Sequence, residues 1–151
     1  YTRWRDTLNA NVTPGTGDEL QSELFVDRRH AADAIKAVAA TGPQLQQALL
    51  MGEVRTIAAD EHWLSMCSGR DSVAFHFSWV PDAAAAAPAV AALEDALAPF
   101  DARPHWGKIF SIDPATVCAR YPAIERATAL AERYDPDRVF ANEFTARFLS
   151  R

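Results

Sequence analysis

The sequence predicts an α+β fold: an antiparallel sheet with helices packed on one face and a polar face left open. Three observations carry this. The segment DSVAFHFSWV, residues 71–80, alternates cleanly, with Val73, Phe75, Phe77 and Trp79 on one face and Ser72, Ala74, His76 and Ser78 on the other. The predicted elements run strand, helix, strand, strand, helix, which is not the regular β–α alternation of a doubly wound sheet. No glycine-rich phosphate loop opens a helix, so a dinucleotide fingerprint is missing.

Residues 1–18 lack periodicity and carry the turn cluster TPGTGDE, which reads as a strand or extended arm followed by a loop. SELFV, residues 22–26, is short, apolar and bounded by charge, so it predicts a strand. Asp27 then caps a helix over 28–41, with Ala32, Ile35 and Ala39 as its apolar stripe and Val38 alongside. Gly42 and Pro43 supply a stop by left-handed closure. Residues 48–59 and 71–80 read as strands joined by a long loop. Asp82 caps the next helix, whose buried stripe is Val90, Leu93 and Leu97 and which Pro88 should kink. Asp113-Pro114 starts a further helix, Tyr121-Pro122 ends it, and another covers about 123–134 with Ile124, Ala127 and Leu130 inward. The last segment, 141–151, should dock through Phe144 and Phe148.

At 151 residues and 49% hydrophobic content the chain can build one modest core. A net charge of −5 argues against a nucleic-acid surface. The longest soft stretch, residues 83–92, is mostly alanine and interrupted by Pro88, so no membrane span is expected. Cys67 and Cys118 make no disulfide framework and suit a reducing cytoplasm, the expected localisation. With no visible secretory leader and a start at Tyr1, the chain reads as a fragment or processed piece.

Polar residues gather on the strand face opposite the apolar row. Glu53 and Arg55 are two apart on a strand, so both point the same way at about 6.5–7 Å. A carboxylate beside a guanidinium offers fixed acceptors and donors, which suits a polyhydroxylated substrate; an ordinary ion pair on a solvated face is the plainer alternative. His76 and Ser78 face the same side, although a histidine satisfied within the sheet is again the plainer reading. RPHWGKIF, residues 103–110, adds an imidazole, an indole and an amine around Gly107. For a metal, His62, Cys67, His76, His105 and Cys118 are possible ligands. None has the paired spacing of structural zinc sites, so no metal is expected.

Four stretches in order, GDELQSELFVDR, EVRTIAADEHWLS, GRDSVAFHFSW and ARPHWGKIF, together with the ending YDPDRVFANEF, extend over essentially the whole chain. Together they resemble the C-terminal, substrate-binding portion of the alditol oxidase (xylitol oxidase) and D-arabinono-1,4-lactone oxidase family, within the vanillyl-alcohol-oxidase flavoprotein superfamily. The resemblance implies a substrate-binding cap over 1–151 whose sheet covers the flavin. The FAD-binding domain has no counterpart in these residues, so it would act in cis or in trans. It further implies Glu53, Arg55, Ser78 and Lys108 as substrate contacts, Arg55 and Lys108 as catalytic, and His105 and Lys108 beside the FAD. The family often carries serine or cysteine where Gly52 stands, and relatives can carry a hydroxyl where Met51 stands; both departures are expected to remove a substrate hydrogen bond.

The implied reaction oxidises the primary alcohol of a sugar alcohol to an aldose, with dioxygen reduced to hydrogen peroxide. Arg55 would hold positive charge near the developing alkoxide, Lys108 would carry charge or, if burial beside Arg55 lowers its pKa, accept the proton, and Glu53 would accept hydroxyl hydrogen bonds. Two alternatives stand beside this: an aldonolactone oxidase or dehydrogenase, and a stand-alone, non-catalytic binding domain. A cap without its partner would expose an apolar surface through which it could form a homodimer.

Overall fold

A computed structural model describes residues 18–149; the arm expected over 1–17 and the last two residues lie outside them. Four strands form one antiparallel sheet: β1 (Leu20–Asp27), β2 (Leu49–Ile57), β3 (Ser72–Trp79) and β4 (Arg103–Pro104), in the order β2-β3-β1-β4. Six helices accompany it: α1 (Ala31–Ala40), α2 (Gly42–Leu45), α3 (Ala83–Leu97), α4 (Pro114–Ala119), α5 (Ile124–Tyr134) and α6 (Glu143–Phe148). The α+β class is the one the sequence predicts.

Register follows from the alternation in β3. Its odd residues Val73, Phe75, Phe77 and Trp79 join Leu24 and Val26 of β1 under α1 and α3 as the main core. Trp79 is fully buried, and its indole N–H donates to Ser22 Oγ at 3.0 Å, which settles its one polar atom. From above, α3 contributes Ala86, Val90, Leu93 and Leu97. Burying each leucine fully is worth about 1.5–3 kcal/mol relative to exposure. Asp82 starts this helix by accepting from the backbone N–H of Ala84 and Ala85. The helix continues through Pro88, which lies on its exposed side.

Several expectations are corrected here. The strand starting at SELFV is longer than 22–26. Arg28–His30 forms a 3-10 turn before α1, and Asp27 accepts from Arg29 N–H there. In α1 the buried residue is Ala34, flanked by Ala31 and Val38, while Ala32, Ile35 and Ala39 are exposed. The i, i+3, i+7 row Ala31, Ala34 and Val38 is the one that faces inward, where α1 packs against α3. Gly42 is not left-handed; Thr41 stays right-handed and Pro43 sits in the first turn of α2, where its missing N–H costs nothing. Leu130 in α5 faces outward, and Thr128 is buried beside Ala127 instead. The segment Ala83–Phe100 has a mean hydropathy of 1.2, long and apolar enough by length and composition to cross a membrane. In the fold most of it is α3, whose apolar stripe packs on the sheet.

The other sheet face is only partly covered. The β2–β3 loop folds back so that Met66 and Cys67 rest on Phe25, Ala74 and Ile57. Asp60 shapes this loop by accepting from His62 N–H and Ser65 Oγ–H, and Gly69 supplies its left-handed residue at φ 72°. A third cluster unites Val117, Tyr121 and Phe148 with Trp106 and Phe110. It docks the C-terminal helix through Phe148, as expected, with Phe144 in edge contact with Trp106.

Candidate active site

Pairing across three strands places Glu53, His76 and Glu23 in one row on the helix-free face. The next row on one side is Met51, Ser78 and Gln21; on the other it is Arg55, Ala74 and Phe25. Glu53, Arg55, His76 and Ser78 therefore share a face, as the period of two requires.

Lys108 arrives from a different direction. His105 N–H donates to Glu23 C=O at 2.9 Å and Ile109 N–H to Gln21 C=O at 2.9 Å, so the chain after β4 continues along the edge of β1. Between them Lys108 N–H closes a turn on His105 C=O at 3.1 Å. The turn needs no left-handed glycine: Gly107 lies outside the positive-φ residues. It directs the Lys108 ammonium back over β1, where Nζ donates to Glu23 Oε2 at 2.6 Å. Behind it, Trp106 packs tilted against Tyr121 and edge-on to Phe148, and donates to Leu64 C=O at 2.8 Å.

Glu23 is the residue that sequence reasoning missed. It is 5% exposed, yet carries a carboxylate. Its second oxygen accepts from Arg55 Nη1 at 3.4 Å. Arg55 also bonds Glu53, and its Nη2 lies 3.1 Å from His76 Nδ1. Since guanidinium only donates, Nδ1 is assigned as an acceptor and Nε2–H faces Gln21 Oε1 at 3.4 Å. Two carboxylates and two cations thus balance within one cluster. A unit-charge pair at about 4 Å and an effective dielectric of about 20 gains about 4 kcal/mol before desolvation. Burying Glu23 cancels much of that, so the cluster chiefly fixes geometry. A signal existed: Gln21 and Glu23 alternate with Ser22, Leu24 and Val26, so the strand carries its long polar side chains on one side only.

The Arg55 hydrogen bond holds the Glu53 carboxyl below the usual glutamate range. Burial, then the charge of Lys108, depresses the His105 imidazole, which accepts from Gly107 N–H at 3.0 Å. It sits at the edge of the cluster with its ring centroid 6.3 Å from that of Phe25. Exposure divides the site: the Arg55 side chain is 47% exposed and Glu53 partly so, whereas His76 and Ser78 are buried. Gly52 is not on this face. It opposes Phe77 on the helix side, and a Cβ there would meet the Phe77 ring at 3.1 Å. The expectation that Gly52 removes a substrate hydrogen bond is therefore replaced by a packing reason, whereas Met51 does lie on the site face. Among the described residues no group of three or more His, Cys, Asp or Glu could hold a metal ion.

Comparison with known proteins places the chain in a family of oxidoreductases. It belongs to the D-arabinono-1,4-lactone oxidase family, whose profile matches residues 19–148. It is similar to the alditol oxidase of a Streptomyces species, with 46% identity over 144 residues that cover 93% of this chain and 35% of that protein. It is also similar to the L-gulono-1,4-lactone dehydrogenase of Mycobacterium tuberculosis, with 39% identity over 99 residues that cover 64% of this chain and 22% of that protein. The chain thus spans about a third of the length of the first relative and less of the second.

Proposed function

We propose that this chain is the substrate-binding cap of an FAD-dependent alditol oxidase that converts the primary alcohol of a sugar alcohol, of the xylitol or sorbitol kind, to an aldose. The observation that carries the reading is the convergence of Glu53, Arg55 and Lys108, from two separate segments, on one partly open sheet face through Glu23. Bound FAD supplies the two-electron oxidation and passes the electrons to dioxygen, giving hydrogen peroxide. The donor set fits such a group: cationic side chains at a partly exposed face favour a ring that gains negative charge on reduction. Lys108 and His105, at the β1 edge, are the residues that would hold it.

Glu53 accepts from the substrate hydroxyls nearest the reacting carbon. Arg55 keeps donors beyond its carboxylate bonds, and its fixed charge favours the alcohol oxygen as it loses its proton. Paired with Glu23, Lys108 places a second positive charge beside that oxygen, and the hydroxyl proton leaves to water at the partly open face. Ser78, opposite Met51 across β2 and β3, adds one hydrogen bond.

The test is a peroxide-coupled assay of the full-length protein over alditols and aldonolactones. Peroxide formation with xylitol or sorbitol is expected. The second reading, an aldonolactone dehydrogenase, draws on the similarity to the mycobacterial lactone dehydrogenase. It would take over if lactones were oxidised with an artificial acceptor and no peroxide formed.

A further inference from the structure

Beyond the end of the neighbouring Arg55–Ala74–Phe25 row, where Arg103 of β4 pairs with Phe25, lies a separate cleft of about 410 Å³ lined by Arg70, Asp101, Arg103, Thr116, Ala119 and Arg120. Three guanidiniums border it in a protein whose net charge is −5. None of the three makes an ion pair with a carboxylate among the described residues; their partners are backbone carbonyls and, for Arg103, the face of the Tyr121 ring 5.1 Å from its guanidinium carbon. Arg70 Nη2 donates to Phe25 and Asp101 C=O, both at 3.0 Å. Arg103 donates through Nε to Arg120 C=O at 2.8 Å and through Nη1 to Met66 and Ser68 C=O at 3.2 and 2.8 Å. Arg120 Nη1 donates to Ala102 C=O.

These bonds leave donors unused. Arg70 Nε is buried with no hydrogen-bond partner. Arg103 Nη2 and Arg120 Nε and Nη2 make none of the bonds just named. The one carboxylate on the cleft is Asp101. Two others that act on these arginines at longer range, Asp27 and Asp60, are held by Arg29 and by Ser65. Arg103 is itself 5% exposed. Burial, and for Arg70 then the neighbouring Arg103, works against the charged form of both. Buried charges are ordinarily paired, and carbonyl dipoles orient a guanidinium without neutralising it. An occupant with negative charge and several acceptor oxygens removes the imbalance and uses the idle forks.

We infer that the Arg70–Arg103–Arg120 cleft is a binding site for a small tetrahedral oxyanion of the phosphate class, separate from the site of alcohol oxidation and independent of the substrate assigned there. The site joins the β2–β3 loop, which Arg103 pins through Met66 and Ser68, to α4 through Arg120, so an anion there braces both.

The test is isothermal titration of the full-length protein with inorganic phosphate, sulfate and malonate at ionic strength matched with sodium chloride, alongside thermal unfolding. One saturable phosphate site per chain is expected, with sulfate competing, malonate weaker, and a rise in Tm that sodium chloride does not reproduce. Arg120→Gln should weaken phosphate binding at least about tenfold and remove the phosphate-dependent rise in Tm, leaving kcat/KM for the alcohol unchanged. Arg70→Lys, which keeps the charge and loses the fork, should weaken binding with little change in basal Tm. Absence of saturable phosphate binding, equal effects of phosphate and sodium chloride, malonate binding more tightly than phosphate, or undiminished binding in both variants would each overturn the assignment.

Discussion

Lys108 and Glu23, 85 positions apart in the chain, meet at 2.6 Å across the edge of the sheet. The other oxygen of the same carboxylate takes Arg55. One buried acid therefore sets the spacing between the two cations assigned to the alcohol oxygen. Removing Glu23 leaves Lys108 with no carboxylate partner in a nearly closed environment. Glu23→Ala should lower stability by about 3 kcal/mol in urea unfolding, and Glu23→Ala with Lys108→Met should lose less than the sum of the single losses. Additive losses would show that the two side chains are not energetically joined.

Lys108→Ala tests the catalytic assignment itself. In the full-length enzyme kcat/KM for xylitol or sorbitol should fall by about 10²-fold or more. Lys108→Arg should not restore it, because a planar fork cannot take the place of a compact ammonium against Glu23. Near-normal turnover in Lys108→Ala would take the lysine out of the catalytic group.

Gly52 and Met51 are neighbours on opposite faces, and serine at each should act differently. Gly52→Ser presses on the Phe77 ring, which stacks on Trp79 at 5.5 Å, so a loss of about 1–2 kcal/mol is expected with KM for the alditol unchanged. Met51→Ser places a hydroxyl opposite Ser78 on the site face and should shift KM with little effect on Tm. A KM change confined to Gly52→Ser would reverse the assignment of faces.

The contrast between these two positions shows what could be read from the sequence. Alternation in residues 72–79 is strong enough to orient β3, and the two-residue spacing of Glu53 and Arg55 puts them on one side. Asp82 and Asp113 act as caps because a carboxylate before a helical pattern has one evident partner, the free backbone N–H groups. Glu23 escaped because SELFV reads as apolar when its register is unknown, and its two partners come from β2 and from the turn after β4. The stripe of α1 follows the same pattern: periodicity marks Ile35 as inward, but packing against α3 puts Ala34 there instead. Local chemistry was readable; choices made by a distant neighbour were not.

Glu94 gives a pH-dependent prediction. Burial raises its carboxyl above the ordinary value of 4.5, although its hydrogen bonds from Ser111 N–H and Oγ–H pull the other way. Below that ordinary value the folded and unfolded chains both hold the proton, and the contribution is complete. As pH rises through the raised folded value, the native carboxyl must ionise in the interior and the contribution is lost. Glu94→Gln cannot ionise, so its stability relative to the parent should improve from pH 4 to pH 7, on top of a constant offset for altered bonding to Ser111. Parallel unfolding profiles would exclude the effect.

Among the described residues strand β2 borders the sheet with one side of its backbone ladder unpaired, and Val54 beside Gly52 is 57% exposed on the helix face. No proline or lysine guards this rim. Concentrated preparations of these residues by themselves should therefore be sticky, seeding ordered precipitates by edge-to-edge zipping, and a single Val54→Lys guard should keep them in solution without disturbing the face that carries Glu53 and Arg55.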